Sequence, residues 1–180
     1  MDSNNLANVW FDVDRKGVAP PTESTIQSWS SLQITCFLDA LQVKTADKPM
    51  KASTTQAMND LYHFADSRNS EVLFRYCMLA VPAEDAAILS VTVRFITTQG
   101  RMKFTRPLYK ALYKSSMGKK LAVSSFLKNK DFYHPICAKM VAQDLKVGQE
   151  SSSTSLSRPL LIASVAAAAG AIVFAWVRRR

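Results

Sequence analysis

From residue 22 to residue 147, apolar side chains recur at the spacing of an α-helix, and no stretch alternates as a strand does. That periodicity restricts the chain to an all-α fold. In "SSLQITCFLDALQV", Ile34, Phe37, Leu38 and Leu41 follow the i, i+3, i+4, i+7 pattern, with Ser30 and Ser31 as capping candidates. Met58, Leu61, Tyr62 and Ala65 repeat it in "TTQAMNDLYHFAD". In "SEVLFRYCMLA", Val72, Tyr76 and Leu79 share one face, and Pro82 ends the segment. "AEDAAILSVTVRFITTQG" is apolar over a wide arc, which predicts a central helix with Glu84 and Asp85 in its first turn and Gly100 as its C′ residue. Helices are expected around Pro107–Lys114 and Lys119–Asp131, and a last one in "HPICAKMVAQDL" with Pro135 in its first turn. The loops are short, so neighbouring helices are expected to run antiparallel, as stacked αα-hairpins in a small solenoid.

Past Val147 the character of the chain changes. "GQESSSTSLS" (Gly148 to Ser157) is a polar, Ser-rich tether. "PLLIASVAAAAGAIVFAWV" (Pro159 to Val177) then runs 19 residues without a charge, between Arg158 and the triplet Arg178, Arg179 and Arg180. As a helix it would span about 28 Å, close to the ~30 Å hydrocarbon core of a bilayer, with Trp176 at the level of the headgroups. The expected organisation is an extended segment at 1–21, a helical domain at 22–147, a linker at 148–158, a single transmembrane helix at 159–177 and a basic tail at 178–180. Such a tail anchor inserts after translation and leaves the N-terminal domain in the cytosol. A moderately hydrophobic anchor with a basic flank favours the mitochondrial outer membrane, with peroxisomes or the endoplasmic reticulum as alternatives. "MDSNNLANVW" has the pattern of neither a secretory signal nor a mitochondrial presequence.

Charge divides the domain. Residues 1–93 carry 7 basic and 11 acidic side chains, whereas residues 94–146 carry 12 and 2. Nucleic-acid binding would rest on that asymmetry alone, without a motif, and is not expected. Cys36, Cys77 and Cys137 form no CxxC pair and read as buried small hydrophobes in a reducing compartment. The two histidines, His63 and His134, have no ligand partner at i+4, so no zinc site and no cofactor are expected.

The most basic stretch is "TTQGRMKFTRPLYKALYK" (Thr97 to Lys114), which has no acid. With Gly100 ending a helix, Arg101, Met102 and Lys103 are expected in extended chain. There Arg101 and Lys103 point the same way and Met102 turns inward. A helix beginning near Thr105 would add a positive dipole end. The arrangement suits a carboxylate or phosphate held by Arg101 and Lys103, with Arg106 as an auxiliary cation.

"SEVLFRYCMLAV", "TTQGRMKFTRPLYKALY" and "HPICAKMVAQDLKVG" resemble the C-terminal helical domain of leukotriene A4 hydrolase and aminopeptidase B, in the M1 metallopeptidase family. The resemblance runs from Ser30 to Gly148, and "VWFDVDRKGVAPP" is more loosely similar to the segment leading into that domain. It implies a right-handed αα-superhelix, HEAT- or armadillo-like, packed against a catalytic domain. It also implies that the Arg and Lys of the QGRMK motif, here Arg101 and Lys103, bind a carboxylate. The family's H-E-x-x-H and G-x-M-E-N segments are absent from the sequence, so the chain is not expected to be an enzyme. The expected function is that of a tail-anchored membrane adaptor, binding protein partners through its cytosolic solenoid and recognising a carboxylate or peptide C-terminus. The alternative is an accessory subunit that completes a separately encoded M1-type zinc aminopeptidase or epoxide hydrolase.

Overall fold

The computed structural model describes residues 2–148, and among them there are eight α-helices and no strand. The uncharged run at 159–177 and its flanks lie outside the described residues. No helix among the described residues is long and apolar enough to cross a membrane.

The first helix departs from the sequence reading, which made residues 1–21 an extended segment. Residues Ser3–Lys16 form α1. Asp2 caps it by accepting the Asn5 N–H at 2.8 Å, and Gly17 ends it at φ 71°, where a side chain would be strained. Leu6, Ala7, Trp10 and Asp14 are buried along one face. Trp10 is fully buried and donates its indole N–H to the Tyr62 hydroxyl at 3.1 Å. Arg15 reaches the carbonyls of Lys48 and Pro49, and the Asp14 carboxylate accepts the Lys51 N–H at 2.7 Å. The segment is thus fastened to the domain.

Helix α2 (Ser31–Lys44) starts from a full capping box, in which Ser30 and Gln33 exchange hydrogen bonds. Helix α3 (Ala52–Tyr62) ends at His63, in the left-handed region at φ 55°. Then follow α4 (Ser70–Ala80), capped by Asn69, and α5 (Ala86–Thr98), capped by Asp85. Asp85 therefore precedes α5 rather than sitting in its first turn. Glu84 lies outside the helix at φ 58° and binds elsewhere. Helix α6 (Met102–Lys114) carries Pro107 in its interior, α7 covers Lys119–Asn129, and α8 (Pro135–Asp144) has His134 as N-cap and Pro135 at its start.

Helices α2, α4, α6 and α8 pack in succession, each on the next, and the odd-numbered helices alternate with them: α1 lies on α2, α3 on α4, and α5 and α7 on α6. One hydrophobic core runs through the stack. Its first half is aromatic, with Trp10, Phe37, Tyr62, Phe64 and Tyr76 in edge or tilted contacts. Its second half is built on Phe104, Leu108, Tyr109, Leu112 and Phe126. Tyr109 and Tyr133 share a hydrogen bond at 2.9 Å, and Tyr133 donates to the Ile96 carbonyl. Cys77 and Cys137 are buried, but Cys36 is exposed, because position 36 lies on the outer face of α2 between Leu32 and Val43, both also exposed.

Candidate functional site

The basic stretch is where α5 hands over to α6. Gln99 is the C-cap of α5, so Gly100 stands at the expected C′ position, but it does not take the positive φ usual for glycine there. Arg101 is the N-cap of α6, and Met102 and Lys103 are already helical. The turn is held by Thr105, whose hydroxyl bonds the carbonyls of Gln99 (2.8 Å) and Arg101 (3.1 Å). Met102 is therefore exposed rather than turned inward. The residue that fills the core here is Phe104, which is fully buried against Phe74 and Phe95.

No side chain caps α6, and its first turn contains no acidic residue. The free N–H groups of that turn carry partial positive charge. Two full cations are added to it. Arg101 is exposed, with its guanidinium 5.3 Å from the Phe104 ring centroid, and among the described residues no carboxylate pairs with it. Lys103 also sits 5.3 Å from that ring, and its ammonium lies 2.5 Å from the Glu71 carboxylate on α4. Arg101 has extended backbone while Met102 and Lys103 are helical, so the shared attraction to Phe104, and not a pair of parallel extended side chains, relates Arg101 to Lys103.

Glu71 also receives Arg75 at 2.7 Å, and Arg75 reaches Asp39 on α2 at 2.7 Å. A chain of charges therefore runs from α6 across α4 to α2. Hydrogen bonds from Lys103, and then from Arg75, hold the Glu71 carboxyl below its ordinary range. Glu71 and Arg75 are one helical turn apart in "SEVLFR", so that half of the network was open to sequence reading. Its links to Lys103 and Asp39 were not.

Arg106 does not join Arg101 and Lys103. It makes a two-pronged pair with Asp144 (2.6 and 3.3 Å) and so ties α6 to α8. That hydrogen bond lowers the Asp144 pKa. A groove of about 720 Å³ opens beside Arg106, with Lys110 and Lys114 along its α6 wall and Ala46, Pro49, Met78 and Pro82 opposite. Glu84 is also part of its lining. Its carboxylate accepts the N–H groups of Ser116 (2.7 Å) and Met117 (3.2 Å) and the hydroxyls of Ser115 (2.9 Å) and Ser116 (3.1 Å). Partial burial opposes ionisation of Glu84, but those donors outweigh it and lower its pKa.

His134 and Cys137, three residues apart at the start of α8, both hold structural places. His134 Nδ1 accepts the Ile136 N–H at 3.3 Å as the cap of α8, and Cys137 is buried, which raises its thiol pKa. Among the described residues no three His, Cys, Asp or Glu side chains gather as a metal site would require.

Comparison with known proteins places these features. Residues 29–145 match the family model described as leukotriene A4 hydrolase, C-terminal. Leucine aminopeptidase 2 of Sclerotinia sclerotiorum is 40% identical over 141 residues, covering 78% of this chain and 22% of that protein. Leukotriene A-4 hydrolase of Xenopus laevis is 35% identical over 147 residues, covering 79% of this chain and 24% of its own length. The solved structure of yeast LTA4 hydrolase in complex with bestatin superposes with a TM-score of 0.66 at 28% identity, over 81% of this chain and 25% of that one. The chain therefore spans about a quarter or less of the length of these relatives.

Proposed function

The chain belongs to the family of leukotriene A4 hydrolase C-terminal domains, and from that premise we propose that it is a non-catalytic adaptor that captures carboxylate-bearing protein partners. The observation that carries this reading is the start of α6: an uncapped helix N-terminus with no acid in its first turn, flanked by Arg101 and Lys103. Arg101 is open to a ligand. Lys103 exchanges partners at little cost, because an exposed pair such as Lys103–Glu71 contributes only about 1 kcal/mol or less. A peptide C-terminus or an acidic side chain would displace Glu71 from Lys103 and accept from Arg101 and the first-turn N–H groups. Arg106, held by Asp144, supplies background potential rather than a direct contact. The alternating contacts of the eight helices fit an αα-superhelix, which presents such a site on a rigid scaffold.

The uncharged run at 159–177 is the proposed membrane attachment, a single span with the helical domain on the cytosolic side. Its basic flanks favour the mitochondrial outer membrane, then peroxisomes or the endoplasmic reticulum. The test changes Arg101 and Lys103 to Ala in the full chain. Protein partners recovered from a membrane extract are then compared by mass spectrometry, with circular dichroism confirming the fold. Loss of partners from a folded protein is the expected result. Recovery at full yield removes the site.

A second reading is favoured by one specific observation: the relatives carry this domain as about a quarter of a longer chain. In that reading the chain is an accessory subunit completing a separately encoded M1-type zinc aminopeptidase or epoxide hydrolase. A co-purifying protein containing H-E-x-x-H, with peptidase activity in the complex, would favour it over the adaptor.

A further inference from the structure

On α6, Lys103, Arg106, Lys110 and Lys114 stand at i, i+3, i+7 and i+11, so they form one basic stripe opposite the buried face of Phe104, Leu108 and Leu112. Their acidic neighbours are unevenly shared. Glu71 takes Lys103 and Asp144 takes Arg106, while Lys110 and Lys114 are exposed and, among the described residues, have no ion-pair partner. These two lysines line the α6 side of the groove, facing a wall of Ala46, Pro49, Met78 and Pro82. Glu84, the one acid in the lining, is already saturated by four donors from Ser115, Ser116 and Met117 and does not reach either lysine.

We propose that this groove is a docking site for an extended acidic peptide segment, separate from the site at Arg101 and Lys103. Charge complementarity selects acids, and spacing selects their pattern. Lys110 and Lys114 are four helical residues apart, a rise of about 6 Å. In an extended peptide, side chains on one face are two residues apart, about 6.6 Å. An acid-x-acid sequence thus meets both lysines in register, and its intervening apolar side chains reach the proline- and methionine-lined wall. A free C-terminus is not required, because the recognised charges are side chains.

The experiment uses the full chain in a mild non-ionic detergent and a fluorescein-labelled, C-terminally amidated peptide alternating glutamate with valine, read by anisotropy. The double change Lys110→Glu with Lys114→Glu is expected to weaken binding by roughly tenfold or more, ~1.4 kcal/mol. The same charge change at Lys120 and Lys128, exposed on α7 and away from the groove, is expected to leave it within about twofold. The double change Arg101→Ala with Lys103→Ala is expected to remove at most the share of binding owed to the carboxylate site and to leave the Lys110- and Lys114-dependent share, and that variant separately tests the carboxylate site. Equal weakening by the α7 variant would overturn the proposal in favour of diffuse charge. So would binding abolished by changing Arg101 and Lys103 alone. A third overturning result is no peptide binding at all, with the chain instead partitioning, in a Lys110- and Lys114-dependent way, onto micelles doped with phosphatidylserine, which would identify an anionic membrane as the occupant.

Discussion

Glu84 offers the sharpest test of how this domain is held together, because two opposing effects meet in one residue. Its backbone is in the left-handed region at φ 58°, which for a residue with a Cβ costs roughly 1–2 kcal/mol. Its carboxylate repays that by fastening the α4–α5 turn to the α6–α7 turn through two N–H groups and two hydroxyls. A hydrogen bond to a charged group contributes about 1.5–3 kcal/mol net, and four shared acceptor contacts on one half-buried carboxylate do not add independently. Glu84→Ala should therefore lose about 2–3 kcal/mol, since it keeps the backbone strain and deletes the fastening. Glu84→Gly should lose about 1–2 kcal/mol less than Glu84→Ala, because glycine relieves the strain. Urea unfolding of each variant, followed by fluorescence and circular dichroism, measures both. The pH dependence follows from the lowered pKa of Glu84. A carboxylate depressed in the folded state contributes stability above its unfolded pKa of about 4.3 and loses it as pH falls through the folded value. Glu84→Gln should thus be less stable than the parent at neutral pH and converge with it in acid. Equal stability of Glu84→Ala and the parent, or a Gly variant no better than the Ala variant, would refute the reasoning.

Trp10→Ala should destabilise the domain by about 3–5 kcal/mol, because a fully buried indole and its bond to Tyr62 are lost; chemical denaturation of the purified variant checks this. Gly118→Ala should cost about 1–3 kcal/mol by thermal melting, since the added Cβ would stand 2.8 Å from the Leu112 carbonyl oxygen, a backbone atom that cannot swing aside. Deleting residues 159–180 should release the protein from membranes after alkaline carbonate extraction, and a truncated form that still pellets with membranes would end the anchor proposal. Changing Arg178, Arg179 and Arg180 to Ser should redistribute the protein among organelles seen by fluorescence microscopy.

What the sequence determined by itself was most of the helices and several of their caps. The 3.6-residue spacing, the Ser30 cap, Pro135 at the start of α8 and the apolar arc of α5 are local, because each depends on residues within about two turns of one another. Helix α1 obeyed the same rules, with Asp2, Trp10 and Gly17 as its signals, and the likeness of that segment to a linker obscured them. The sequence placed the start of α6 near Thr105, but the helix begins at Met102, because Thr105, bonding back to Gln99 and Arg101, folds the preceding residues into the first turn. Only the tertiary structure decided which cations are spent and which are free. Lys103 finds Glu71 32 residues away, Arg106 finds Asp144 38 away, and Glu84 finds Ser116 32 away. A basic stretch reads as uniform along the chain, but among the described residues only Lys103 and Arg106 of its cations are matched by carboxylates on neighbouring helices. Which helix faces which, and in what axial register, follows from how the buried side chains of α4, α6 and α8 interlock, a relation among distant residues that no local spacing encodes.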